Sequence, residues 1–467
     1  NQHAARYQSL MFDPERHRMY LRLKMGLSPD HKLQGRAPFS FIIAPVDGGW
    51  GMRDLLATWY RAFPTAFERR AEKEGCWLFA IAPTKVPNPQ DYGYYEGSRD
   101  TDFVVEHGIV PCPYVIPGQR SITRLESLPA NYDEAMAVFD AYDPSVGTHG
   151  PQVKEIIENC RVMTPDGLYP IRIRDDVGAD IKPKNPINMV VFSTNPDPDL
   201  MADEGKLNVG QWTLDVVARL IGNEPRIGGI YVDSAAGWVA RYLNVRRDHF
   251  PYADFPLSYD EETGGLAIDG RFSVVEFLSA LGEQLHPEGR LVFPNLSCRP
   301  QHFWSYFACD VCGLEGRDHD LESMAFFRSM AYHKPTLRLD YLGLMGKERP
   351  LSTREGMEEY FKNCITYGVY PSIGRRCDEA YERFGDLFDA YMPALRAIGA
   401  AGWEPITHAR LTGGEGAIIE RFGPSDGRVY FTIYNPTDEA MSPAVELDEA
   451  ALGLGLGATR DLVTGEA

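Results

Sequence analysis

Two carboxylates in this sequence close hydrophobic runs, where burying an unpaired charge is expensive and needs a reason. Asp233 ends Gly229-Ile230-Tyr231-Val232-Asp233 and is followed by Ser234-Ala235-Ala236-Gly237-Trp238. Glu315 ends Asp310-Val311-Cys312-Gly313-Leu314-Glu315 and stands between two glycines, Gly313 and Gly316, that allow close approach of a ligand or a tight turn. Carboxylates on two different strand ends suit cleavage of a glycosidic bond. One attacks or serves as base, and the other protonates the leaving oxygen. Each also has a plainer reading: Asp233 caps the next helix or pairs with an arginine, and Glu315 forms a rim ion pair with Arg317. Asp310, at the start of its run, belongs to the face that serves stability.

The residues around this pair are of sugar-binding types. Tyr231 shares a strand face with Asp233, and Trp238 follows on the next loop or first helical turn. Run five ends at Asn295, with Ser297, Arg299, His302 and Trp304 beyond it. Asn295 also opens the sequon Asn295-Leu296-Ser297, and a binding role is preferred there to a glycan. Asp340 shares a face with Arg338, as a structural ion pair or as a substrate clamp. The expected catalytic pair is therefore Asp233 and Glu315, with Tyr231, Trp238, Asn295, His302, Trp304, Arg317 and Asp340 binding substrate. Trp77, Tyr92, Tyr94, Tyr95, Gln119 and Arg120 follow or lie in the first two runs, where aromatics stack on sugar faces or fill the core. Other chemistries lack their motifs: there is no HxH after the first strand, no GxSxG elbow and no P-loop. Cys309 and Cys312 form a CxxC without a second pair at zinc spacing. No metal and no cofactor is expected.

Strands and loops must hold these groups in place. Short apolar runs recur at 76–81, 108–116, 187–194, 227–234, 290–295, 307–316, 336–344 and 364–372, with amphipathic segments such as VGQWTLDVVARLIG and LESMAFFRSMAYH between many of them. Continuous apolar runs alternating with amphipathic helices indicate parallel strands buried on both faces. Eight such units are the count of a (β/α)8 TIM barrel, whose catalytic groups sit at the C-terminal strand ends. The competing open doubly wound sheet lacks a GxGxxG after its first strand. The expected organisation is a β-rich N-terminal segment over 1–46 (RMYLRLKMGL, FSFIIAPV), a linker helix over 47–74 broken or kinked at Pro64, the α/β barrel over 75–400, and a C-terminal β-sandwich over 401–467.

The order of a β-rich piece, the helix MRDLLATWYRAFP, a barrel carrying IYVDSAAGW and a terminal sandwich resembles large barrel glycoside hydrolases. Among these it resembles the endo-α-N-acetylgalactosaminidase-like group and its uncharacterised relatives. The resemblance spans about residues 40–440, and its specific motif is about ten residues long. In that group an Asp at the end of the fourth strand, in a pattern similar to YVDxxG, is the nucleophile, which maps onto Asp233. The family's acid is a Glu ending the fifth strand. Here the fifth run ends in Asn295, and the nearest Glu is Glu315 on the sixth. The resemblance implies a retaining glycoside hydrolase acting on an oligo- or polysaccharide. A non-catalytic carbohydrate-binding barrel, or a lyase or isomerase using Tyr231 or His302 as base, are the alternatives.

Composition agrees with a folded catalyst. The chain has 467 residues, 44% hydrophobic and 24% charged, with net charge −19. The acidic balance argues against nucleic acid or an anionic membrane as general partners, and no apolar run reaches a membrane span. A carbohydrate is the expected partner. Most of the eight cysteines lie in apolar runs, as buried reduced thiols do. The start NQHAARYQSL reads as a chain whose signal peptide is absent or removed, and the whole as a fragment or processed piece of a longer protein, with an extracytoplasmic or secreted location slightly favoured.

Overall fold

The apolar runs become strands of a mixed α/β architecture with a parallel sheet in the computed structural model, which describes residues 8–147, 150–175, 187–316, 320–340, 350–374, 376–453, 455 and 457–466. The chain divides into two units. One comprises Asn1–Ser40, Val115–Asn223 and Val232–Gln284; the other comprises Phe41–Tyr114, Glu224–Tyr231 and Leu285–Ala467.

The second unit carries the strands β1 Cys76–Leu78, β2 Tyr92–Tyr95, β3 Val110–Pro111, β4 Tyr114–Val115, β5 Gly229–Val232, β6 Leu291–Leu296, β7 Cys312–Glu315, β8 Thr336–Asp340 and β9 Tyr370–Ile373, with β4 and β5 each handing the chain to the first unit at their last residue. Their spatial order is their chain order: β1-β2-β3 in one sheet and β4-β5-β6-β7-β8-β9 in another. The pairings β1–β2, β2–β3, β6–β7, β7–β8 and β8–β9 are parallel. Pro111 and Pro113, which have no N–H to give a ladder, flank the break between β3 and β4. At the other end, the backbone N–H of Trp77 on β1 donates to Ser372 Oγ on β9 at 2.8 Å.

Helices follow the strands where caps and amphipathic spacing specify them. Leu321–Ala331 starts at Asp320, whose carboxylate accepts from the Ser323 N–H, and Arg354–Thr366 starts at Thr353, whose hydroxyl accepts from the Gly356 N–H. The helix Met52–Ala62 ends just before Pro64, and a 3-10 turn takes over at Pro64–Phe67. Arg53 on that helix makes a two-pronged contact with Glu420, at 2.9 and 2.6 Å. Glu420 lies in an antiparallel sheet of Trp403–Glu404, Ile418–Ser425 and Arg428–Tyr434, accompanied by the pair Ala409–Thr412 and Ala444–Leu447.

Three expectations change. INMVVFST does not join the parallel series. Asn188–Ser193 is the centre of an antiparallel sheet in the first unit, between Gln119–Thr123 and Ile171–Asp175, over a core of Ile122, Phe139, Ile157, Val190 and Phe192. A central strand covered on both faces is apolar whatever the direction of its neighbours. Tyr92–Tyr95, expected to follow the first strand and not counted among the runs, is itself a buried parallel strand. FSFIIAPV, read as a strand, has no regular structure and exposes Phe41, Ile42 and Ile43, and Gln8–Asp13 and Arg18–Leu23 form a hairpin.

Candidate active site

Glu315 is the last residue of β7, and its Oε2 accepts a 2.5 Å hydrogen bond from Asn295 Nδ2 on β6. Register explains the meeting. Asn295 pairs with Gly313, and Glu315 lies two residues further along the same face. Asn295 is buried, with its amide nitrogen engaged by Glu315. One step below, Phe293 and Gly313 share that face. A Cβ at Gly313 would come within 2.7 Å of the Phe293 ring and 3.1 Å of the Trp77 ring, so glycine leaves space for the aromatics. Trp77, Tyr231 and Phe293 pack mutually, with ring centroids 5.0–5.1 Å apart. All three are fully or almost fully buried and form an aromatic floor.

Tyr231 thus belongs to the floor and is buried, not exposed to a ligand. Asp340 ends β8 but pairs with Ile373, while its neighbour Leu339 pairs with Glu315, so the register sets Asp340 on the opposite face of the sheet from Glu315. Arg338 shares that opposite face. Its guanidinium donates to the carbonyls of Leu314 at 3.1 Å and Gly316 at 2.6 Å, pinning the backbone on either side of Glu315. His302 and Trp304 lie in the 3-10 segment Pro300–Tyr306 after β6, His302 buried and Trp304 half-buried against Phe303 and Phe307. Arg317 lies outside the described residues.

Asp233 and Trp238 belong to the first unit. Asp233 is half-buried; its N–H donates to the Val115 carbonyl at 2.9 Å, and its Oδ2 accepts from Ser234 Oγ at 3.0 Å. Ser234 and Trp238 both sit at positive φ, 56° and 45°, a conformation that costs about 1–3 kcal/mol per non-glycine residue and clusters at functional sites. Trp238 is half-buried, with the Arg172 guanidinium 4.5 Å from its ring centroid.

Sequence reasoning missed Glu96, the residue after β2. Its Oε2 accepts from Trp77 Nε1 at 3.1 Å. A carboxylate closing a tyrosine-rich run was the available signal.

No protein-family profile matches the chain, and no curated protein matches it. Solved structures similar to it include the glycoside hydrolase domain of PelA from Pseudomonas aeruginosa, at 12% identity and a TM-score of 0.32, covering 65% of this chain and 96% of that one. A variant of the GH36 alpha-galactosidase AgaA from Geobacillus stearothermophilus, in complex with stachyose, is similar at 8% identity and a TM-score of 0.40, covering 85% of this chain and 58% of that one.

Proposed function

We propose that the chain is a retaining glycoside hydrolase of an oligo- or polysaccharide, built on a (β/α)8 barrel with a C-terminal β-sandwich. The carrying observation is Glu315, a carboxylate at the C-terminal end of a parallel strand, held by Asn295 above a buried aromatic floor. Barrel enzymes place their chemistry at that end of the strands. The order of β1 to β9 and the contact of Trp77 with Ser372 support closure of the sheet.

In this reading Asp233 attacks the anomeric carbon, and the covalent glycosyl-enzyme forms as Glu315 gives a proton to the departing oxygen. Glu315 then takes a proton from water, whose oxygen releases the sugar with its anomeric configuration retained. Asn295 fixes the side chain of Glu315, and Arg338 fixes the strand end that carries it.

The direct experiment is a screen of 4-nitrophenyl α- and β-glycopyranosides, with proton NMR of the first product formed. Hydrolysis of one anomer with retention supports the reading; no hydrolysis of any glycoside, or a first product of inverted configuration, counts against it. A wall of aromatic surface captures the apolar face of a sugar ring, and Trp238 is the proposed wall. Trp238→Ala should weaken substrate binding by about 1–3 kcal/mol, the scale of burying a large side chain, with little change in melting temperature. A large fall in melting temperature at unchanged affinity would make the ring core instead.

A further inference from the structure

We infer that Glu96 is a further substrate-binding carboxylate of the mouth that holds Glu315, one that takes sugar hydroxyls; this rests on the glycosidase reading. The register carries the argument. Trp77 on β1 pairs with Tyr94 on β2, so the two residues share a face. Glu96 lies two residues beyond Tyr94 and continues that face past the C-terminal end of β2. The two side chains on β2 diverge: Tyr94 OH donates to the Lys73 carbonyl, before β1 begins, whereas Glu96 bonds to the Trp77 indole nitrogen after β2 has ended.

The ring that Glu96 bonds is the same Trp77 ring that packs on Phe293 and Tyr231 and approaches Gly313. Phe293 stands two residues before Asn295, and Gly313 two before Glu315. The aromatic floor is therefore shared. Asn295 and Glu315 rise from it on β6 and β7, and Glu96 rises from it just past the end of β2. Glu96 brings a carboxylate to the end of β2 beside this ring, and the indole bond fixes its orientation. Charged acceptors with a fixed orientation are what select among sugar hydroxyls.

The test uses the whole chain and whichever 4-nitrophenyl glycoside it hydrolyses best. Glu96→Ala should raise KM about 10- to 100-fold, the size of losing hydrogen bonds to a charged group, with a smaller effect on kcat. Glu96→Gln keeps an oxygen for the indole and should fold like the parent, yet still raise KM several-fold. Binding of the matching methyl glycoside by calorimetry should weaken in parallel. KM within twofold of the parent in both variants overturns the inference while leaving the hydrolase reading in place. If Glu96→Ala does not fold, Glu96→Gln decides alone. If the parent chain hydrolyses and binds none of the glycosides, the hydrolase reading falls and this inference with it.

Discussion

Asp233→Ala is expected to abolish measurable turnover, and Glu315→Gln to abolish it on substrates whose leaving group needs a proton, both with a melting temperature near that of the parent. The chemistry sets the size. A positioned general acid or base contributes about 10²–10⁴-fold, and loss of the nucleophile removes the covalent route itself. Glu315→Gln preserves shape and can still meet the Asn295 amide through its carbonyl oxygen, so the change removes only the exchangeable proton. The two variants should differ in one respect. A 4-nitrophenolate leaving group needs little protonation, so Glu315→Gln should lose far less activity on nitrophenyl glycosides than on an alkyl glycoside of the same sugar, while Asp233→Ala should be equally inactive on both. Normal turnover in either variant removes that residue from the mechanism. Should both retain activity, the carbohydrate-binding or lyase readings gain. Retention further requires the two carboxyl groups about 5–5.5 Å apart in the substrate complex, against about 6.5–9.5 Å for inversion.

The legible parts of this fold are those in which composition and neighbourhood agree. The runs at 227–234, 290–295, 307–316, 336–344 and 364–372 each overlap one of β5 to β9, because a strand covered on both faces must be apolar. The same rule misassigned 187–194, since Asn188–Ser193 is covered on both faces in an antiparallel sheet. Strand direction leaves no mark on such a run. Tyr92–Tyr95 is not legible as a strand because four residues between Pro89 and Gly97 make too short an apolar run, and burial of tyrosines depends on partners such as the Lys73 carbonyl that no local pattern contains. Glu315 was legible as a charge ending an apolar run, and Glu96, by the same rule, should have been. The face of Asp340 was not legible. It depends on which residue of β7 lies opposite Leu339, and register is a property of the pair of strands.

Raising the pH from about 4 to about 8 is expected to stabilise Glu276→Gln and Asp197→Asn progressively relative to the parent, through a buried carboxyl pair within the first unit. Burial pushes the Asp197 carboxyl up to about 7, helped by the neighbouring charges of Asp199 and Asp254 and opposed by the Asp199 N–H and Lys32. Burial likewise holds the Glu276 carboxyl well above the usual range, with Asp197 and Asp254 adding to the rise and the N–H groups of Asp254 and Phe255 opposing it. Glu276 Oε1 accepts from the Asp254 N–H at 2.8 Å, while Oε2 is buried without a hydrogen-bond partner among the described residues. The unfolded chain loses both protons near the ordinary carboxylate values of 3.8 and 4.5, whereas the folded unit keeps them. Between pH 4 and 7 the folded state therefore binds more protons, and this pair's contribution to stability falls as the pH rises. His249 works in the opposite direction. Its burial lowers it to about 3, so it adds stability as the pH rises toward the ordinary histidine value. The parent's own curve sums the two effects, and only the difference between variant and parent isolates the carboxyls. For Asp197→Asn that difference should grow by on the order of 3 kcal/mol across the range, because each tenfold gain in proton affinity on folding is worth about 1.4 kcal/mol. It should have the same sign for Glu276→Gln. Hydrogen exchange of peptides spanning 187–200 and 246–284 reports the first unit directly. Curves for the variants that run parallel to the parent from pH 4 to 8 would mean that the pair does not hold its protons in the folded state.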